Sequence, residues 1–446
     1  MKKYCSVFTC ILLMCLVMNC APKRTGKPAL HAADITKVIK AMSAQMVHDV
    51  TNPPLAARFF AYSCMSGYEV LSQNDNSIEK LSAALNGYPP VKKPLVTNYD
   101  AQLAALFAIT KTAAKMQPSG AAIKVFEQRL IDSCLQIGFA QDKIDSSLKY
   151  AQQVSAQIIG YAVKDNYNRI SNFKRYVPKD TAGAWYPTPP AYMGAVEPYF
   201  ATVRPFTLQA CNQFNPAPPV PFSTDKKSGF YKLMMECQQY DADSLTAGQR
   251  VIAGFWDCNP FAVQDNGHML IGLKKISPGA HWMLITGIAC KQANIGFDKA
   301  ITIHTMVAIG LMDSFISCWY QKYQTNRIRP ETAIHQYLNP RWKSFLQTPP
   351  FPEYLSGHSC ISSTSAVILE SYFGPNFHYT DDVELAFGIK PRQFGSFSQA
   401  ADEAGYSRLL GGIHFADGIT NGKLQGEEIG RWVLYKFNRV VKQEIK

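Results

Sequence analysis

The sequence predicts an all-α protein, a multi-helix bundle with one long proline-rich connector. Apolar residues recur at helical spacing along most of the chain, whereas no strand-like alternation persists in its first half. The chain has 446 residues, of which 47% are hydrophobic and 17% are charged, so it can bury a large core and does not have a disordered composition. We find no internal repeat and no low-complexity tract.

The predicted helices are bounded by capping residues and prolines. Asp34 is a candidate N-cap for a helix over 35–49, and Pro53-Pro54 ends that helix. Two later helices are expected to carry functional residues, one bearing Arg408 and one starting near His414. Apolar spacing predicts the remaining helices over 55–71, 98–116, 121–137, 145–165, 226–240, 244 or 246 to 255, 281–290, 299–324 and 359–373.

The connector is the main break in this pattern. Residues 186–221 contain nine prolines and cannot form a regular helix. A loop of this length in a compact protein is usually functional or wraps another part of the molecule, and its aromatic residues indicate that it packs. We therefore divide the chain into a signal segment (1–20), a linker (21–30), an N-terminal helical region (31–185), the proline-rich connector (186–225) and a second helical domain (226–446).

The first twenty residues resemble a bacterial lipoprotein signal peptide. Lys2 and Lys3 precede a short apolar run over 7–18, which is too short for a comfortable bilayer span. The resemblance implies lipidation at Cys20; ordinary signal cleavage is the alternative, because Asn19 stands where a small residue is usual. We expect an exported periplasmic or cell-surface protein, held at the membrane through its lipid anchor only. No later stretch is predicted to be long and apolar enough to span a membrane.

Charge indicates a small-molecule site and not a polynucleotide partner. The formal charge is +12, and loss of Lys2 and Lys3 lowers it by two to +10. The basic residues are dispersed and form no cluster interleaved with aromatic residues, which argues against nucleic-acid binding. We interpret the excess as surface charge together with an anion pocket.

Cysteine and histidine spacing gives no sign of a metal site. Eight of the twelve cysteines follow residue 20, and no two of them are separated by two residues, so we expect no zinc site. Export permits disulfides, but Cys64, Cys318 and Cys360 lie in apolar helical runs and are predicted to be buried free thiols. Six histidines outside the motifs below have no ligand spacing, and most of them are expected to be structural or exposed: His48, His268, His281, His304, His335 and His378.

The stretch over 348–359, TPPFPEYLSGHS, is the strongest functional signal. Its prolines hold an extended approach to a predicted helix, for which Ser356 is a plausible N-cap. Gly357 allows a ligand close to the backbone, and the first helical N–H groups favour an anion. His358 stands at this anion site with an ordinary pKa near neutrality. A capped helix with a chance histidine is the structural alternative.

Two further segments place cations and donors at helix ends. Lys322 lies near the end of a predicted helix, and Pro330 forces Arg329 out of helical geometry. Arg408 precedes a Gly-Gly break, after which His414 and Asp417 share a helix face, so that Asp417 could hold one imidazole nitrogen. Taken singly, these segments also fit a solvated basic turn and a capping aspartate beside a packed histidine.

Together, the order Lys-x6-Arg-Pro, Ser-Gly-His and Ser-Arg-x5-His-x2-Asp resembles the signature of the type 2 phosphatidic acid phosphatase and vanadium haloperoxidase superfamily. The resemblance is to its soluble bacterial haloperoxidase-like branch and covers nearly the whole mature chain. It implies the all-α bundle of that family and makes 226–446 an oxyanion-binding catalytic domain. It also implies site roles: Lys322, Arg329 and Arg408 as the cationic cradle, Ser356 and the Gly357 amide as donors, His414 as the ligand of vanadium in vanadate, His358 as the general acid–base and Asp417 as the orienter of His414.

The resemblance leaves three functions open. The first is a haloperoxidase that uses vanadate, hydrogen peroxide and a halide. The second is an acid phosphatase that needs no cofactor and hydrolyses phosphomonoesters through a phosphohistidine. The third is a non-catalytic surface protein that binds an anion or a partner. This chain departs from the family pattern at Leu355, where Pro is usual, and at Gly418, where the family Asp normally lies, and Phe351 resembles the residue of chloroperoxidases.

Overall fold

The computed structural model describes residues 27–265 and 267–438. The signal segment, with Cys20, and the first part of the linker lie outside these residues, so the predictions made for them stay predictions. The first half contains helices α1 (Ala32–His48), α2 (Pro53–Asn74), α3 (Leu81–Ala84), α4 (Ala101–Met116), α5 (Gly120–Gln136) and α6 (Gln141–Ala162). The second half contains α7 (Gly229–Gln238), α8 (Ala247–Phe255), α9 (Pro278–Gln292), α10 (Phe297–Thr325), α11 (Pro330–Tyr337), α12 (Gly357–Phe373), α13 (Phe397–Leu410) and α14 (Ala416–Lys436).

Short strands occur only as two antiparallel pairs in the described residues. One pair joins β1 (Val263–Asp265) to β2 (Leu270–Gly272), and the other joins β3 (Tyr379–Asp381) to β4 (Arg392–Phe394). Three-residue strands in separate pairs build no layer of their own. The predicted all-α class is confirmed, and the core is made by helix packing.

The first two helices begin at residues other than the predicted ones, because their caps differ from those expected from the sequence. Helix α1 begins before Asp34, whose carboxylate accepts from the His31 N–H at 2.9 Å; Asp34 is therefore the third helical residue and not the N-cap. Helix α2 begins at Pro53, because proline is tolerated in the first turn and the Asn52 side chain accepts from Leu55 N at 2.9 Å. Pro53-Pro54 thus starts a helix, whereas the preceding helix already ends at His48.

Helix α10 is the central element of the bundle. It packs against α2 of the first half and against α12 and α14 of the second half, so that one hydrophobic core runs through both. Among the described residues, α10 alone has the length and hydropathy of a membrane span, with a mean hydropathy of 1.5, but 94% of that window is buried inside the protein. The expectation that no later stretch is long and apolar enough to span a membrane is therefore wrong for these two properties. Helix α10 has both because it is the buried core helix of the bundle.

The connector packs against the helices, as predicted, and the structure shows that α10 is one of its contacts. Its Phe206 side chain is fully buried, and its backbone is fixed by Asp313 of α10. The Asp313 carboxylate accepts from the backbone N–H groups of Phe206, Thr207 and Leu208 at 2.6, 2.8 and 3.3 Å. Burial raises the pKa of Asp313 to about 6, although these bonds favour its charged form. The connector is thus attached to the same helix that carries Lys322.

Helices α12 and α14 approach unusually closely beside the predicted site. A Cβ on Gly426 of α14 would lie 2.1 Å from the backbone carbonyl oxygen of Cys360 in α12. Backbone cannot move aside as a flexible side chain can, so this position requires glycine. The close contact fixes α14 against the first turns of α12.

We predict that Gly426→Ala lowers the free energy of unfolding by about 1–3 kcal/mol or more, because overpacking must push the two helices apart. Gly160→Ala is the matched control, since Gly160 lies in α6 with nothing within 4 Å of the added Cβ. The control is expected to gain about 0.5–1 kcal/mol of stability. Denaturant unfolding of both variants checks this, and equal effects would contradict the close approach.

Candidate oxyanion site

A small cavity of about 40 Å³ lies where the predicted functional segments meet. Its wall includes four of the predicted site residues: Gly357, His358, Arg408 and His414. Residues separated by fifty positions or more in the chain, from the second and third predicted segments, are therefore brought to one place. The rest of the wall is largely apolar and includes Phe315, Trp319, Phe351, Pro349, Pro260 and Ile413.

The three predicted cations are buried beside this cavity. Lys322 lies in the last turn of α10, Arg408 lies in the last turn of α13, and Arg329 directly precedes α11. Pro330 starts α11, and Arg329 is extended with φ −83° and ψ 152°, as predicted. Burial lowers the pKa of Lys322 to about 7 and that of Arg329 to about 10, because both lose the hydration of their charged forms.

Main-chain carbonyls hold these cations in place. Lys322 Nζ donates to the carbonyls of Pro352 and Glu353, each at 3.1 Å, and to that of Leu355. Arg329 Nε donates to the Phe351 carbonyl at 2.9 Å, but its second terminal nitrogen is buried without a hydrogen-bond partner. Lys322 thus uses its three donors to shape the loop, whereas Arg329 keeps an unused donor.

The start of α12 supplies neutral donors. Ser356 is its N-cap, as predicted, with Oγ accepting from Ser359 N at 3.2 Å and from Ser359 Oγ at 2.9 Å. Both bonds use Ser356 Oγ as the acceptor, so its own hydroxyl hydrogen remains available. The first amides of a helix, here beginning at Gly357, lack intrahelical partners and favour an anion.

Glu353, and not Asp417, orients His414. His414 Nδ1 lies 2.8 Å from Glu353 Oε1, and the Phe415 N–H donates to the same oxygen at 3.2 Å. An ionised carboxylate can only accept a hydrogen bond, so Nδ1 carries the imidazole proton and Nε2 is unprotonated. The first terminal nitrogen of Arg329 lies 3.2 Å from this unprotonated Nε2 and donates to it. The prediction that Asp417 holds the imidazole is wrong.

Asp417 instead acts on Glu353 through Arg327. Its two carboxylate oxygens accept from Arg327 at 2.6 Å each, and Arg327 Nε donates to Glu353 Oε2 at 2.5 Å. A Cβ on Gly418 would lie 2.5 Å from Glu353 Oε1. The Glu353 carboxylate therefore occupies the space that a side chain at position 418, the usual family Asp, would need.

Sequence reasoning missed Glu353 and Arg327. Glu353 is fully buried in the proline-rich stretch, and a buried carboxylate needs a partner. It is also the only acidic residue between Pro349 and the Ser-Gly-His triplet, which was the available signal.

His358 has the properties of a proton acceptor. Its ring donates to the Trp256 carbonyl, and its Nε2 is buried without a partner, so the proton resides on Nδ1. Burial, followed by the charge of Arg408 and by His414, lowers its pKa well below the usual value. The pKa of His414 is also lowered well below its usual value, first by burial and then by Arg329 and Lys322. Both imidazoles are therefore neutral near pH 7.

An aromatic wall separates the cations from solvent. The Phe351 ring lies 5.0 Å from Lys322 Nζ and 5.1 Å from the Arg329 guanidinium carbon, and it packs on Trp319 with ring centroids 4.9 Å apart. Cation–π contact partly offsets the desolvation of these charges. The wall keeps the local dielectric low and so strengthens attraction to an anion.

Three buried cations around an unprotonated imidazole nitrogen form an arrangement suited to binding an oxyanion. The comparisons give the family. The family model of the VCPO second helical-bundle domain matches residues 302–443. The crystal structure of the first bacterial vanadium-dependent iodoperoxidase is 36% identical, covers 92% of this chain and 97% of its own, and superposes with a TM-score of 0.85. The chain belongs to the vanadium haloperoxidase family.

More distant structures share the fold. Apo and holo forms of a bacterial vanadium-dependent chloroperoxidase are each 14% identical to this chain, with TM-scores of 0.62 and 0.60. They cover 86% and 92% of this chain and 93% of their own length. No curated protein matches the chain.

The residues present fit vanadate. The unpartnered Arg329 nitrogen and the unpartnered His358 Nε2 are buried polar atoms that a bound oxyanion would satisfy. Lys322, Arg329 and Arg408 supply positive charge, and His414 Nε2 is an unprotonated nitrogen suited to the central atom. These observations support vanadate as the cofactor of this site.

We predict that Glu353→Gln weakens vanadate binding by about 10- to 100-fold, as loss of a residue that orients a metal-ligating histidine typically does. Asp417→Asn is the matched control and should weaken it less, because Asp417 contacts Arg327 and not His414. Calorimetric titration of both variants with orthovanadate gives the comparison. A larger effect of Asp417→Asn would restore Asp417 as the residue that controls His414.

Vanadate affinity should also depend on the charge of Lys322. Below its free-site pKa of about 7, Lys322 is charged before and after binding, so its contribution is complete. Above that pKa, binding must take up a proton, and the contribution falls by about tenfold per pH unit until the pKa of the occupied site is reached. The affinity ratio of wild type to Lys322→Met, measured at each pH, removes the titration of vanadate itself. A ratio that stays constant from pH 6 to 9 would contradict this assignment.

Proposed function

We propose that the protein is a vanadate-dependent haloperoxidase that uses hydrogen peroxide to oxidise a halide, with iodide as its preferred substrate. The observation that carries the proposal is the bare Nε2 of His414, fixed by Glu353 at 2.8 Å on the opposite nitrogen and surrounded by buried cations. The iodoperoxidase whose structure is 36% identical supports the choice of halide.

The cradle would hold vanadate through complementary groups. Bound vanadate would supply the Lewis acid that activates hydrogen peroxide for oxygen transfer to the halide. His414 Nε2 offers a lone pair to the central atom, and Arg329, Ser356 and the Gly357 amide offer donors to its oxygens. Lys322 contributes charge, and its bonds to three loop carbonyls keep that charge in a fixed position.

His358 would manage the proton. Its Nε2 is unprotonated and unpartnered, so it can accept a proton from hydrogen peroxide in the cavity. The Trp256 carbonyl accepts from both His358 and Arg408, the latter at 2.7 Å, so the base and the cation share one anchor. The negative charge of a bound oxyanion would raise the low pKa of His358 and help it to hold the proton.

The cavity wall favours a weakly hydrated halide. Phe315, Trp319 and Phe351 face the cavity and offer little that could replace water around a strongly hydrated anion. Iodide loses the least hydration energy among chloride, bromide and iodide and is the easiest of them to oxidise. We therefore infer the order iodide, bromide, chloride for the rate of oxidation.

The direct test follows triiodide formation by the purified chain with orthovanadate, hydrogen peroxide and iodide. Activity should require vanadate, vanish in His414→Ala and fall by about 100- to 10,000-fold in His358→Ala. His48→Ala is the matched control, because His48 is a solvent-exposed histidine at the end of α1, and it should retain wild-type activity.

Absence of vanadate-dependent oxidation of all three halides from acid to neutral pH would reject the proposal. If the same protein hydrolysed an aryl phosphate without metal, and vanadate blocked that reaction, the cradle would instead serve an acid phosphatase. If neither reaction occurred while vanadate bound tightly, the site would be an anion-binding site without turnover.

A further inference from the structure

A second cluster of ligand-type side chains lies behind the oxyanion site. Cys258 follows α8, His281 lies in the first turn of α9, and Glu384 lies in the 3-10 turn Val383–Phe387. All three side chains are buried, and the proposed chemistry of the oxyanion site uses none of them. Their separation in the chain hid this grouping from any spacing argument.

The three ligand atoms have the spacing of a metal site. His281 Nδ1 lies 3.4 Å from Cys258 Sγ and 3.3 Å from Glu384 Oε1, and the sulfur lies 3.7 Å from that oxygen. A triangle with these edges has a circumradius of about 2.0 Å, so one point lies at that distance from all three atoms. Zinc bonds of about 2.0–2.2 Å to nitrogen or oxygen and about 2.3 Å to sulfur place the ion just above that plane.

The surroundings of His281 match those of a metal-binding histidine. Its other nitrogen, Nε2, lies 2.8 Å from the Asp381 carboxylate, and this contact fixes the ring orientation. Trp256 stacks on the imidazole with centroids 4.9 Å apart and an angle of 24° between the planes. With Nε2 donating to Asp381, a deprotonated Nδ1 would face Cys258 and Glu384 as a ligand.

We propose that Cys258, His281 and Glu384 form a binding site for a zinc-like divalent cation, distinct from the vanadate site. Sulfur, nitrogen and oxygen ligands in a three-coordinate set with one open position suit zinc. Cys258 also lines the 40 Å³ cavity, so one side of the cluster adjoins open space. On binding, the Cys258 thiol releases one proton to solvent and its sulfur bonds to the metal, whereas the His281 ring keeps its proton on Nε2 and bonds to the metal through the lone pair of Nδ1.

The ion would act on the oxyanion site through the Trp256–Cys258 segment. The Trp256 carbonyl anchors His358 and Arg408, and Cys258 lies two residues further along the chain. A bond from Cys258 to the metal would therefore restrict the segment that positions the proton acceptor and one cation. The role would be one of positioning, since the ion would act through the Trp256–Cys258 segment and not on the oxyanion itself.

The test is metal analysis of the full-length protein, stripped with chelator and re-equilibrated with zinc alone. Wild type should retain about one zinc ion per chain, and Cys258→Ser and Glu384→Gln should retain little. Cys290→Ala is the matched control, because Cys290 is a buried free cysteine of α9 outside the cluster, and it should keep the wild-type content.

Cobalt substitution gives a readout that needs no variant. Cobalt-loaded wild type should show a thiolate-to-cobalt charge-transfer band, and zinc should raise its melting temperature but not that of Cys258→Ser. No bound zinc and no thiolate band in the wild type would overturn the proposal and leave His281 as a hydrogen-bonded link between Asp381 and Glu384. Vanadate is absent from both measurements, so their outcome is independent of haloperoxidase activity.

Discussion

The hydrogen bond between His414 and Glu353 is the constraint on which the oxyanion site depends. It decides which imidazole nitrogen carries the proton and therefore which one can face an anion. Burial and nearby cations push His414 toward its neutral form, whereas the carboxylate gives the neutral ring a single tautomer. Without that carboxylate, either nitrogen of the neutral His414 ring could carry the proton, and the unprotonated nitrogen would not be fixed beside the cations.

The buried positive charge is tolerated because the loops are built around it. The carbonyls of 352, 353 and 355 accept from Lys322, that of 351 accepts from Arg329, and those of 253 and 256 accept from Arg408. These bonds offset part of the cost of removing the cations from water. What remains uncompensated, notably the second terminal nitrogen of Arg329, is the part of the site that favours an incoming oxyanion.

Much of this architecture could be predicted from the sequence because its signals are local. Apolar spacing gave the helices, Pro330 gave the turn at Arg329, and Ser356 gave the cap of α12. The free thiols predicted at Cys64, Cys318 and Cys360 are likewise confirmed. Helix starts were less predictable, since a proline that is interpreted as a helix breaker can instead begin a helix.

The partners of charged groups could not be predicted, because they depend on contacts between distant segments. Asp417 was assigned to His414 from a three-residue spacing, yet the fold turns it toward Arg327. The grouping around His281 could not be predicted for the same reason, since its neighbours come from positions 258, 381 and 384. Spacing rules detect partners on one element and miss groups of side chains assembled from several elements.

The steric conflict between a side chain at position 418 and the Glu353 carboxylate has a wider meaning for comparing relatives. A carboxylate that orients His414 can come from position 353 or from position 418, but the space beside the imidazole holds only one of the two. To move the carboxylate from one position to the other, both residues would have to change together. A change at one position alone would leave either a steric clash or no hydrogen-bond acceptor for the histidine. A sequence alignment would show only the missing aspartate at position 418, although the carboxylate that orients the histidine is present at position 353.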